Sequence, residues 1–351
     1  MNEIKKAFRN KIVLVTGGTG SIGSEIVKQI LKYEPTLVRI LSNDEASLFN
    51  SQQELVKFKN VRYLLGDVRQ KERLKVAMED VDFVFHAAAL KHVPLCEYNP
   101  FEAINTNVIG SQNVVEAAMT NNVKKCIFIS TDKAVNPTSV LGATKLLAER
   151  LFIVANYYKG WSDTTFSVIR FGNVLNSRGS IIPLLKNQIA TGGPVTITNP
   201  EMTRFVMSLP QAVELVFKST LKSVGGEIFV FKMPALKIID LIEVMIDEVA
   251  PKYGIDSRKV EKKILGPRLG EKSHEELLTK NELEWLYEDD EMFVILVPIE
   301  RPEEIFEPEI KGIRKVATIE GMDIEDHYLS NNAKLLNKKE IRELLRSIKV
   351  F

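Results

Sequence analysis

Asp132 and Lys133 stand side by side in Ser130-Thr131-Asp132-Lys133, with Lys145 following in Leu141-Gly142-Ala143-Thr144-Lys145. A carboxylic acid next to an amine sets a proton donor and a potential base on one substrate at once, the combination that an elimination needs. A lysine acts as a base only if burial or a neighbouring positive charge lowers its pKa, and Lys145 is the nearby candidate for that charge. Elimination joined to hydride transfer is the chemistry this spacing suggests, against the plain alternative of a solvated ion pair in a loop.

The elements that must position these residues are readable from periodicity. Lys11 to Gly23, KIVLVTGGTGSIG, is an apolar run of strand character that breaks into glycines and opens a helix. Gly17, Gly20 and Gly23 have the spacing that lets backbone N–H groups approach a pyrophosphate at a helix N-terminus, with Ser21 as the expected helix cap. Five further apolar runs follow, Leu37–Leu41, Val61–Leu65, Asp82–His86, Cys126–Ser130 and Phe166–Phe171. Helical segments are expected between them at Glu45–Lys57, Lys71–Glu79, Thr106–Asn121 and Ala143–Tyr158. The alternation predicts an α/β fold, a doubly wound parallel sheet of Rossmann type whose ligands lie at the carboxyl ends of the strands.

With 351 residues the chain has room for a second, smaller domain. Residues 1–172 are expected to form the dinucleotide-binding domain, with segments near 203–232 weaving back to it. Residues 173–351 are expected to be mainly a C-terminal substrate-binding domain and tail, with helices at Ile238–Val249 and Lys338–Leu345. Lys and Arg number 47 against 46 Asp and Glu, a net charge of +1 that gives no case for nucleic acid binding. No apolar run has the length of a membrane span, and the first ten residues lack the apolar core of a signal peptide, so a cytoplasmic protein is expected. Cys96 and Cys126 are too few for a disulfide framework, and His86, His92, His274 and His327 form no ligand pattern, so no metal is expected.

The motifs TGGTGSIG, GDVR at 66–69, HAAALKHVP at 86–94, NTNVIGSQNV at 105–114, STDKAVNP at 130–137, GATK at 142–145, RFGNVLNSRGS at 170–180, MTRF at 202–205 and RLGEK at 268–272 occur in this order. In them the chain resembles the extended short-chain dehydrogenase/reductases, and within these the UDP-N-acetylglucosamine 4,6-dehydratase group of CapD-like polysaccharide biosynthesis proteins. The resemblance implies a nicotinamide dinucleotide over Gly17, Thr19, Gly20, Ser21, Ile22 and Gly23, bordered by Ala87, Ala88 and Ala89. Asp67 and Val68 are then placed at the adenine edge, and Ser42 and Asn43 near the adenine ribose. Ser42 stands where an NAD enzyme often has an acid, and the neighbouring arginine of several NADP relatives is absent, so the reading leans to NADP with NAD left open. As a helix start, Asp44 and Glu45 need no cofactor.

By the same resemblance Asp132 and Lys133 are acid and base, and Lys145 bonds the nicotinamide ribose. The position that carries a tyrosine in most of the superfamily is Leu141, which cannot exchange a proton. Thr131, through a relay, or one of the lysines must then take the C4 proton. Lys91, His92, Asn173, Arg204, Arg268 and Glu271 are implied to hold a UDP-N-acetylhexosamine, the arginines at its diphosphate and Glu271 at the uridine ribose. Lys91 and either arginine have a rival reading as surface charges, and Asn107 one as a structural bridge. A 4,6-dehydratase, with or without C5 inversion, is the activity implied; a UDP-sugar 4-epimerase and a non-catalytic nucleotide-sugar-binding protein are the alternatives. A homo-oligomer is implied as well.

Overall fold

The computed structural model describes residues 3–296, 310–316 and 328–351, so His327 and the parts 301–309 and 317–327 of the expected tail lie outside the described residues. Strands β1 (Ile12–Thr16), β2 (Leu37–Ser42), β3 (Val61–Leu65), β4 (Phe83–His86), β5 (Lys125–Ile129) and β6 (Thr165–Arg170) are all parallel, paired in the order β6-β5-β4-β1-β2-β3. Every residue of β4 is buried, as is all but the first of β5 and of β6. Strands covered on both faces by helices read as unbroken apolar runs, which is why the sequence shows them so plainly. The helices Ser21–Ile30 and Leu209–Lys222 pack together, and Lys71–Ala77, Gly110–Thr120 and Val140–Tyr158 form a second layer.

Beyond β6 the chain divides its strands between two bodies. β7 (Asn173–Val174), β9 (Thr203–Met207) and β11 (Ala235–Lys237) make a small three-stranded sheet, and β8 (Val195–Ile197) pairs with β12 (Lys262–Ile264). These surround a second core in which Leu185 and Ile189 meet Leu241, Met245, Ile341 and Leu345. The last two belong to the helix Lys338–Ser347, whose start is fixed by a reciprocal cap between Asn337 and Glu340. By contrast β10 (Ile228–Phe231) lies parallel beside β6, and β14 (Met292–Ile295), β13 (Leu286–Glu288) and β15 (Arg314–Lys315) continue the same sheet antiparallel. Among the described residues the main sheet therefore has ten strands and takes four of them from residues after 172.

Two local expectations differ from the structure. Gly20, not Ser21, is the N-cap of the helix Ser21–Ile30, and no side chain caps it. Ser21 is the first helical residue, and its Oγ accepts from the backbone N–H of Arg178 at 2.9 Å. The helix expected from Thr106 runs as regular α-helix only from Gly110; Ile104–Ile109 is a π-helical turn. That turn brings buried Asn107 inward, where its amide oxygen accepts from Leu90 N and its amide nitrogen donates to Leu90 O and Thr144 Oγ1. Asn107 thus bridges the segment after β4 to the helix that carries Lys145.

Candidate active site

At the end of β5 the chain leaves the sheet through Ser130 and Thr131 into a short 3-10 turn, Asp132–Ala134. The N–H of Asp132 donates to Phe171 O, tying this turn to the end of β6. Asp132 is fully buried; its Oδ1 accepts from Thr131 Oγ1 at 2.7 Å and from Lys133 Nζ at 3.0 Å, while Oδ2 has no partner. Lys133 Nζ also lies 3.4 Å from Glu275 Oε1. Burial opposes the charge on Lys133, but Asp132 and then Glu275 outweigh it and hold the ammonium above the usual lysine range. The expected lowering of the Lys133 pKa by Lys145 is therefore not what the structure has: the positive charge that acts on Lys133 is Arg204, and two carboxylates overcome it.

Of Lys133 and Lys145, it is Lys145 whose pKa is depressed. Its helix, Val140–Tyr158, starts at a cap in which Ser139 Oγ accepts from Gly142 N. A Cβ on Gly142 would stand 2.2 Å from Lys133 O, so only glycine lets the helix approach the turn. Lys145 Nζ donates to Ile129 O at 2.7 Å and sits 4.2 Å from the Phe128 ring centroid. Burial pushes its pKa down to about 8, against the pull of Glu149. Leu141 is buried against Cys96 and Ala103.

Lys133 opens onto a pocket of about 180 Å³ that Asn173, Arg204, Arg268 and Glu271 also line, so these four substrate candidates converge there. Asn173 Oδ1, Glu271 Oε2, Glu275 Oε2 and Asp132 Oδ2 are buried oxygens without a partner, four of the five such side-chain atoms among the described residues. A cluster of unmet acceptors fits a ligand rich in hydroxyl and amide donors. Arg204, by contrast, is committed: its Nη1 donates to Thr203 O and Ser273 O, its Nη2 to Lys272 O, and it faces Glu271 and Glu275 at 3.7 and 3.6 Å. It clamps the segment 271–275 as well as bordering the pocket. Lys91 and His92 are absent from this lining; Lys91 Nζ donates to Arg178 O at 2.5 Å, and His92 packs against Gly179.

A second cleft, of about 550 Å³, runs over the glycine turn and is lined by Gly17, Thr19, Gly20, Ser42, Asn43, Asp67, Val68 and Ala87–Ala89. Gly17 has φ +63°, and a Cβ there would be 2.7 Å from Ala88; on Gly23 it would be 2.3 Å from Gly17 O. The turn is thus a cradle that side chains would fill, and it fits a dinucleotide pyrophosphate. Ile22 and Gly23 lie in the helix behind the turn and, like Ser21, do not line the cleft. Asp67 is held below the usual carboxylate range, first by the side chain of Arg69, which chelates both its oxygens, and further by Asn43. Asp44 is the cap of the helix Glu45–Glu54, accepting from Ser47 N.

Glu275 escaped sequence reasoning, though it lies one helical turn's spacing after Glu271 in RLGEKSHEE. So did a buried group behind the turn: Ser130 Oγ donates to Glu149 Oε1 at 2.6 Å, and Arg170 donates to both Glu149 and Glu282. Among the described residues no His, Cys, Asp and Glu group could hold a metal ion, and no helix is long and apolar enough to cross a membrane.

Residues 13–296 match the family described as polysaccharide biosynthesis protein. The chain belongs to that family. It is CapD-like and has the Rossmann fold of the extended short-chain dehydrogenase/reductases. It is 55% identical over 346 residues, 99% of this chain and 98% of the other, to a Methanocaldococcus jannaschii protein described as an uncharacterized membrane protein. It is 40% identical to the inverting UDP-N-acetylglucosamine 4,6-dehydratase of Campylobacter jejuni, over 98% of this chain and 100% of the other. A UDP-glucose 4-epimerase of Rickettsia massiliae is also 40% identical, over 97% of each. The solved structure of Pen from Bacillus thuringiensis is 43% identical with a TM-score of 0.87, covering 97% of this chain and 98% of the other. A role in nucleotide-sugar dehydration or epimerisation follows from these relatives.

Proposed function

We propose that this chain is a nicotinamide-dependent UDP-N-acetylglucosamine 4,6-dehydratase that forms a 4-keto-6-deoxy sugar. The observation that carries the reading is the Thr131–Asp132–Lys133 chain of hydrogen bonds, 2.7 and 3.0 Å long, opening on a pocket of unmet acceptors. An epimerase needs proton exchange at C4 only, whereas an acid and a base side by side supply the two further proton transfers that an elimination requires.

The nicotinamide supplies the hydride acceptor for C4 and the hydride that returns to C6. Thr131 hands the C4 hydroxyl proton to Asp132, in the role that Leu141 cannot fill. Neutralising Asp132 removes the larger of the two charges that keep Lys133 protonated, and Lys133 releases its proton to solvent through the pocket. Lys133 then takes the C5 proton, which is acidic because the C4 ketone delocalises the carbanion. Asp132 passes its proton to the departing C6 hydroxyl, so the C4 and C6 hydroxyls together leave one water and one ketone. Lys133 returns a proton to C5 and regains its own from solvent once Asp132 is again ionised, which closes the cycle. Asn173 holds the sugar, Arg268 the diphosphate and Glu271 the uridine ribose, and Lys145 orients the nicotinamide ribose.

The test is incubation with UDP-N-acetylglucosamine and either cofactor in deuterated water, followed by mass spectrometry and proton NMR. Loss of one water, a new C6 methyl signal and deuterium at C5 are expected. UDP-N-acetylgalactosamine with its C6 hydroxyl intact would replace this reading by the epimerase.

A further inference from the structure

Arg178 belongs to the loop between β7 and the helix Ile181–Ala190, yet it reaches across to the dinucleotide cleft. Its Nη2 donates to Thr19 O, its N–H to Ser21 Oγ at 2.9 Å, and its own carbonyl accepts from Lys91 Nζ at 2.5 Å. The loop is shaped to allow this. Asn176 and Gly179 have φ of +57° and +69°, and a Cβ on Gly179 would lie 2.3 Å from His92 Cε1, so the strap presses against the segment after β4.

The guanidinium lines the same cleft as Ser42, Asn43, Asp44 and Ser47. Among the described residues it has no carboxylate within ion-pair distance, while Asp67 is already chelated by Arg69. Around the end of β2 stand the hydroxyls of Thr19, Ser42 and Ser47, with Thr19 Oγ1 donating to Ser42 Oγ at 2.9 Å and Asp44 N donating to the same oxygen at 3.2 Å. The Asp44 carboxylate is engaged by Ser47, through Ser47 N at 3.0 Å and Ser47 Oγ at 2.5 Å. Arg178 is close enough to contribute to holding Asp44 ionised, after Ser47's larger share. A guanidinium that donates to Thr19 O but has no ion-pair partner among the described residues, set among hydroxyls with no acid at Ser42 to bind a ribose diol, suits a phosphate monoester better than a pair of hydroxyls.

We propose that Arg178 recognises the adenosine 2'-phosphate of NADP, so that the chain selects NADP over NAD through a residue lent by the second lobe and not by the end of β2. The inference rests on the nicotinamide reading above and adds its specificity. The arginine missing beside Ser42 in sequence is supplied there in space.

Calorimetric titration of the full chain, Arg178→Gln and Arg178→Lys with NADP, NAD, adenosine 2',5'-bisphosphate and 5'-AMP decides it, with thermal unfolding to verify that the variants are folded. Losing a charge-assisted hydrogen bond should weaken NADP and the bisphosphate about 10- to 100-fold in Arg178→Gln, and leave NAD and 5'-AMP within about 3-fold. Arg178→Lys should recover part of the NADP affinity. Equal weakening of NADP and NAD would place Arg178 on the pyrophosphate and overturn the proposal while leaving the nicotinamide reading intact, as would unchanged affinities or a native preference for NAD. A native chain that binds neither dinucleotide would overturn both.

Discussion

Lys133 stands between two carboxylates, its Nζ 3.0 Å from Asp132 Oδ1 and 3.4 Å from Glu275 Oε1. A base in that position starts protonated and gains its function as the surrounding charge changes. Glu275→Gln removes one of the two charges that raise the Lys133 pKa. The rising limb of kcat/KM against pH should therefore move to lower pH. A limb that stays in place would show that Glu275 does not govern the charge on Lys133.

Thr131 is the proposed first stop for the C4 proton, with its Oγ1 2.7 Å from Asp132. Thr131→Val should slow substrate-dependent cofactor reduction, followed by stopped-flow absorbance, by about 100-fold or more, while Thr131→Ser keeps most of it. Equal rates for the valine and serine variants would exclude the relay.

His86 gives a stability prediction with a definite sign. Ser111 Oγ spends its hydrogen on Asn107 O at 2.6 Å, so it accepts from His86 Nε2, and Nδ1 accepts from Thr16 Oγ1. The ring is thus neutral, its pKa driven from 6.5 to about 3 by burial first and then by Lys145. Between those values the unfolded chain binds a proton that the folded chain refuses, so stability falls as pH is lowered from 6.5 towards 3, by up to about 1.4 kcal/mol per unit. Urea unfolding of the native chain and His86→Asn at several pH values should show a shallower acid loss in the variant.

Arg170 holds Glu149 and Glu282 together in the interior, with its pKa raised well above the usual range by the two carboxylates against the effect of burial. Arg170→Met would leave both acids buried without their counter-charge and should cost about 3–5 kcal/mol in denaturant unfolding. A loss under about 1 kcal/mol would mean that the acids take up protons and the group is dispensable.

The parallel strands were legible because burial on both faces leaves continuous apolar runs such as Cys126–Ile129, and the glycine turn because Gly17 and Gly23 tolerate no side chain. Capping was less legible: Gly20 takes the position expected of Ser21, whose hydroxyl serves a loop more than 150 residues away, a contact no local pattern encodes. Lys133, Asn173, Arg204, Arg268 and Glu271 of the pocket could be named from motifs, but not Glu275, and not the electrostatics. Adjacency in sequence suggested Lys145 as the neighbour of Lys133, while the fold turns Lys145 onto Ile129 O and brings Glu275 and Arg204 instead. Strands β13 and β15 were hidden because they are short and mostly not buried, with no periodicity to mark them.

Because β10 pairs along β6, and β14 along β10, the main sheet is finished only by chain made late in synthesis. A fragment ending at residue 172 would present the bare hydrogen-bonding edge of β6, whose last five residues are all buried in the intact protein. Such an edge recruits strands from other molecules. Residues 1–172 are therefore not a transplantable module: on the ribosome they must wait for their sequel, and cut free they should aggregate.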